Sequence, residues 1–342
     1  VVRAGRSIPW LLLLLGLGGG AGASSADEWL FVPEGNRLHR VELSSLDDGP
    51  LRQQVLIPSA KDDPAGGRDI NGMLCPLPDG SGRFIASEDT GQPEKPGGWG
   101  LFSPEGEQLG KLVVPTHSVQ PEPHGCAFGP RGRLFASEVG DPGLLSANGL
   151  LVLAFPPFDR FDPSPGRACI LADDLGTAGG MAVDRRGRVY VAASGRGAIF
   201  RFSPPFPERA EECGAVVPER ETFARALSTF SGLAISPRGT LYAASVFTGE
   251  IDEYDLDGTR LRSVLDSPNW MPPHPHGTPQ GLAVAADGTL YYADLDLAWD
   301  GWSIGPGPDG KVWRIRFDEA GDPLPPEKIL DGLAFPDGLG IW

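Results

Sequence analysis

The chain is short of cationic residues, and that shortage sets the first limit on what it does. Its 342 residues hold 29 Lys and Arg against 45 Asp and Glu, a formal net charge of −16. Nucleic-acid binding needs clustered basic side chains to neutralise phosphates, so that class of partner is excluded. Only four cysteines occur, Cys75, Cys126, Cys169 and Cys213, and none forms a Cys-x-x-Cys pair, which removes the usual zinc and thiol-redox frameworks. No apolar run reaches the roughly 20 residues needed to cross a bilayer, so no membrane span is expected in the mature protein. Glycine (48) and proline (35) are what the chain has in quantity, beside 40% hydrophobic residues. That mixture describes a turn-rich β fold with a real core rather than a helical or disordered chain.

Arg3 and Arg6 precede an apolar run through Trp10 to Leu17, followed by small residues from Ala21 to Ala26. This is the order of a secretory signal, so residues 1–26 are expected to be removed, leaving residues 27–342 as a secreted or periplasmic monomer. An oxidising compartment permits disulfides. Cys169 and Cys213 lie in outer segments of neighbouring repeats and are the expected pair if a bridge exists. Cys75 and Cys126 fall inside predicted inner strands and read as small buried fillers with free thiols.

One unit recurs along the chain: Gly-x-Ala-apolar, a turn ending in Gly, then Leu or Val, an aromatic, and Ala. It is seen at Gly125-Cys126-Ala127-Phe128, Gly180-Met181-Ala182-Val183, Gly232-Leu233-Ala234-Ile235 and Gly281-Leu282-Ala283-Val284, with a looser copy at Gly72-Met73-Leu74-Cys75. A sixth is read at Gly332-Leu333-Ala334-Phe335. The starts are 49 to 55 residues apart, room for four short strands each. The expected fold is therefore all-β, a six-bladed propeller of four-stranded blades. Trp29 to Val32 and Asn36 to Val41 read as strands that lack an inner partner, so the first blade is expected to be closed by both chain ends, which also protects the sheet edges.

In such a ring the start of each inner strand and the end of each second strand share one face and converge on the axial mouth. Before the repeat glycines stand Asp331, Asn71, His124, Gly179, Ser231 and Gln280, and the second strands end at Glu34, Glu88, Glu138, Ala193, Ser245 and Asp294. Carboxylates, amides and one imidazole from adjacent blades suit an oxygen-ligated divalent cation, Ca²⁺ first, with Asn71, Asp331, Glu88, Glu138, Glu34 and His124 as candidate ligands. Coordination by His124 would favour a more borderline ion. Crowded in this way, one of the carboxylates, Asp331 among them, or His124 is a candidate catalytic acid or base near neutrality. Gln280, Asp294, His276, Trp99 and Trp302 are placed on a rim that selects a small-molecule substrate. Solvated turn carboxylates and an exposed Pro-spaced histidine are the bland readings of the same residues.

These motifs resemble the six-bladed superfamily that includes regucalcin, gluconolactonase, paraoxonase, strictosidine-synthase-like and NHL-repeat proteins. The resemblance covers the mature chain as a fold, and Ile70-Asn71-Gly72 and Leu330-Asp331-Gly332 look like that family's Asn-Gly and Asp-Gly ligand positions. It implies a divalent metal at the mouth, with Asn71 a ligand and Asp331 a ligand or the base. It also implies hydrolysis of a lactone or ester, while NHL-like members imply a noncatalytic propeller that binds a small ligand or a protein partner. A quinone-cofactor dehydrogenase fits less well, because the mouth offers few cations for that cofactor's carboxylates.

Overall fold

The computed structural model describes residues 28–47, 50–63, 68–88, 98–112, 122–139, 149–158, 167–226, 230–299 and 303–342. The segment read as a secretory signal and Trp302 lie outside them. The described residues form six four-stranded antiparallel sheets and one short hairpin, Leu297–Trp299 with Ile304–Pro306. The sheets follow one another around a ring, and the second strands, such as Phe84–Glu88 and Leu134–Glu138, are buried along their whole length. Alternate residues of those strands face the two neighbouring blades, which is why they read as continuous apolar runs instead of alternating ones.

Packing confirms the ring directly. Separate hydrophobic clusters fill the gaps between consecutive blades, from Phe31 with Phe84 between blades one and two to Leu30 with Tyr291 between blades six and one. The alternation is visible in a single strand: Leu134 and Ala136 face blade two, whereas Phe135 faces blade four. Seryl hydroxyls stitch the same gaps near the mouth. Ser87 donates to the Pro123 carbonyl, Ser137 to Gly179 at 2.6 Å, Ser194 to Phe230 and Ser231 to Pro279 at 3.0 Å.

The inner strands of blades two to six are Ile70–Pro76, Pro123–Phe128, Ala178–Val183, Phe230–Ile235 and Pro279–Val284. The sixth differs from the sequence reading. Asp331-Gly332-Leu333 belongs to Glu327–Leu333, the outer strand of blade six, and the strand that completes blade one is Gly340–Ile341, paired with Leu30 and Phe31 of Trp29–Glu34. Trp342 stacks on Phe31 with ring centroids 3.7 Å apart, adding an aromatic contact to this short closure.

Glycine contacts identify the same member. A Cβ on Gly72 would meet the His124 carbonyl at 2.8 Å, on Gly125 the Gly179 carbonyl at 2.5 Å, on Gly180 that of Ser231 at 2.7 Å and on Gly232 that of Gln280 at 2.2 Å. Gly281 abuts Gly338, and Gly338 returns to the Gly72 carbonyl at 1.7 Å, so the chain of contacts closes on itself. Gly332 has nothing within 4 Å. The axis is therefore lined by backbone pressed on backbone, and only glycine leaves room for it.

Both cysteine pairs are bridged. Cys169–Cys213 joins the outer part of blade three to blade four, as expected, and Cys75–Cys126 joins the inner strands of blades two and three. The expectation of free thiols at Cys75 and Cys126 is thus corrected. Their side chains enter the same inter-blade core, with Cα atoms 6.1 Å apart, a separation a disulfide spans.

Candidate functional site at the axial mouth

The strand registers place inner-strand starts opposite second-strand ends: Ile70 with Glu88, Pro123 with Glu138 and Pro279 with Asp294. One position later the ladder slips. In blades three to six the inner strand advances three residues while its partner advances two, for example from Pro123 to Cys126 against Glu138 to Ala136. In blade two the slip runs from Asn71 to Leu74. In blades three to six this bulge takes the residue before the repeat glycine out of the ladder, which lets it be re-aimed as an unbroken strand does not permit.

The residues before the repeat glycines are Asn71, His124, Gly179, Ser231 and Gln280, and Asp337 takes the equivalent place before Gly338. Sequence reasoning missed Asp337. Its carboxylate, nearly buried, accepts a 2.8 Å hydrogen bond from the Gly72 N–H and so ties blade one to blade two. Asn71 Oδ1 accepts from Ser87 at 3.2 Å. Blades three and six face each other across the ring, and their mouth residues meet: the Gln280 amide nitrogen stands 3.2 Å from His124 Nε2. An amide NH₂ only donates, so in this arrangement Nε2 accepts and the ring proton resides on Nδ1. Nδ1 is itself buried and has no hydrogen-bond partner among the described residues. Burial holds the imidazole down at about 4, so the ring is neutral at physiological pH.

The second-strand carboxylates reach the same face but are held away from the axis. Glu34 accepts hydrogen bonds from His39 at 2.8 Å and the Ala334 N–H at 3.0 Å, and the His39 contact lowers its pKa. Glu88 pairs with Lys111 at 2.6 Å and accepts from Gln108; burial raises its pKa against the pull of that lysine. Asp294 accepts from the N–H groups of Thr278 and Asp296, both at 2.8 Å, and from the Trp313 indole at 3.2 Å, which makes it a clip for its loop. Glu138 is buried at the end of its strand.

Two other expectations change position. Asp331 lies on an outer strand with its side chain 64% exposed, paired with Lys328 at 2.6 Å, which lowers its pKa; it does not reach the mouth. Trp99 is 1% exposed inside the core between blades two and three, not on a rim. His276 packs edge-on against Trp313 in the loop entering blade six, and its Nδ1 is likewise buried without a partner among the described residues.

Whether a divalent cation fits is decided by the donors. Among the described residues no three of His, Cys, Asp and Glu come together. At the axis one carboxylate, Asp337, binds a backbone N–H, and the accepting nitrogen of His124 faces an amide donor. Ca²⁺ takes six to eight oxygen ligands, so this donor set does not match it.

No family model and no curated protein matches the sequence. Solved structures do match by shape. The nidogen/laminin complex aligns with a TM-score of 0.59 at 14% identity, covering 92% of this chain and 98% of that one. Luciferin-regenerating enzyme aligns at 0.57 and 14%, covering 91% of each chain. Regucalcin from Agrobacterium tumefaciens, described as a calcium-binding protein, aligns at 0.53 and 15%, covering 78% of this chain and 77% of that one. The chain is thus a six-bladed β-propeller of the shape shared by regucalcin-like and luciferin-regenerating propellers. At these identities the likeness is one of fold.

Proposed function

We propose that the chain is an exported, lactonase-like propeller that takes a small, uncharged, oxygen-rich molecule of the lactone or ester class at its axial mouth. The observation that carries this reading is the His124–Gln280 pair spanning the axis, with a buried Nδ1–H left unmatched among the described residues. An unmatched buried donor costs about 1–3 kcal/mol, and a ligand carbonyl oxygen recovers it. Asn71 and Gln280 supply the amide groups that orient such a ligand. Two disulfides and the signal-like N-terminal order support export.

Calorimetric titration of the purified protein with sugar δ-lactones and their opened acids, paired with a pH-stat assay of ring opening, tests this. Lactone binding that weakens about tenfold or more in His124→Ala supports it. Absence of binding across the panel, or equal binding by His124→Ala, overturns it. A second reading, a propeller that binds without turnover, is favoured by the imidazole being a weak base. Binding with no ring opening selects that reading, and ring opening lost in His124→Ala selects the hydrolase.

A further inference from the structure

A second cleft opens on the opposite face of the ring, between blades five and six. Its walls come from the turns between first and second strands, where Ser236, Arg238 and Asp287 lie, and from Arg316 and Phe317 beyond the third strand of blade six, around the Tyr242 ring. These strand ends are the ones away from the mouth. The cleft measures about 340 Å³ and adjoins another of about 300 Å³ through Asp287, Thr289 and Arg316.

Comparison between blades shows what is special here. In blade four the tyrosine at this repeat position, Tyr190, donates its hydroxyl to Asp184 at 3.2 Å. In blade five the aspartate is replaced by Ser236, whose hydroxyl is taken up by Thr240 at 2.7 Å. Tyr242, 4% exposed, consequently has no hydrogen-bond partner for its hydroxyl among the described residues. Arg238, which lies over Gly321, likewise makes no ion pair among them. The cleft's carboxylates are differently placed: Asp287 accepts from the Thr289 N–H and hydroxyl, and Asp318 from the Asp322 N–H. Tyr242 and Arg238 therefore bring hydrogen-bond donors to the cleft, and Asp287 and Asp318 bring acceptors.

We infer that this cleft binds a zwitterionic amino acid or dipeptide. Its carboxylate would lie on Arg238 and the Tyr242 hydroxyl, its ammonium toward Asp287 and Asp318, and its apolar side chain against the stacked rings of Tyr242 and Phe317. A ligand without net charge also escapes repulsion from a chain of net charge −16.

Calorimetry with leucine, leucine amide and N-acetylleucine tests the assignment. Leucine is expected to bind saturably, with both blocked derivatives, Tyr242→Phe and Arg238→Ala each weakening binding by about tenfold. Tyr242→Phe keeps the ring in the core, and Arg238 is exposed, so both variants retain the fold. No saturable leucine binding up to about 10 mM overturns the proposal, as does undiminished binding by either variant or by either derivative.

Discussion

His124 and Gln280, 156 residues apart in sequence and on opposite blades, meet side chain to side chain across the propeller axis at 3.2 Å. The imidazole Nδ1 is buried, and desolvation lowers the ring's pKa from 6.5 to about 4, which ties stability to pH. The unfolded chain takes up a proton on this ring as pH drops through about 6.5, whereas the folded chain resists until about 4. The stability that His124 confers relative to its protonated form is full above pH 6.5 and is lost as pH falls toward 4. Urea denaturation at pH 7.5 and 4.5 is expected to show wild type losing about 2 kcal/mol more than His124→Gln across this interval. Carboxylates common to both proteins cancel, and equal losses would show that the ring is not held neutral.

Gly338→Ala and Gly332→Ala separate the two candidates for the sixth axial glycine. A Cβ at 338 lies 1.7 Å from the Gly72 carbonyl, backbone that cannot give way, and the variant is expected to lose about 3 kcal/mol or more. Gly332 has positive φ but open surroundings, so its variant is expected to lose about 1 kcal/mol. Thermal unfolding of the two proteins checks the order, and the reverse order would return the inner strand to residues 332–335.

Asp337→Asn and Asp331→Asn make a parallel pair. The first weakens a buried, charge-assisted bond to the Gly72 N–H and is expected to lower stability by about 1–2 kcal/mol. The second alters an exposed pair with Lys328 and is expected to leave the melting temperature unchanged.

The oxidised protein is expected to give no reaction with a thiol reagent after denaturation, and four equivalents after reduction. Replacing Cys75 and Cys126 together with alanine is expected to cost about 4 kcal/mol, given the 51-residue separation they close. A free-thiol signal from these two in the oxidised protein would restore them as unbridged core fillers.

The inner strands of blades two to six were legible because each pairs a crowded glycine with an apolar strand at a near-constant interval. The last was misplaced because Asp331-Gly332-Leu333-Ala334 matches the repeat better than Asp337-Gly338-Leu339-Gly340. A better guide is the proline that precedes the mouth residue, at Pro123, Pro279 and Pro336. The mouth residues Asn71, His124 and Gln280 follow from repeat position alone. The partners of Glu34, Glu88 and Asp294 do not, because His39 and Trp313 lie on third strands and Lys111 on an outer strand that the inner repeat does not index. The same holds for Cys75 and Cys126, which occupy different repeat offsets and meet only because adjacent blades present opposite faces to one gap.

Since every axial glycine is braced by the backbone of the next blade, no single blade can retreat without pushing its neighbours. On the proposed function, a molecule entering the mouth would be sorted by its fit to this braced backbone more than by a rearrangement it provokes.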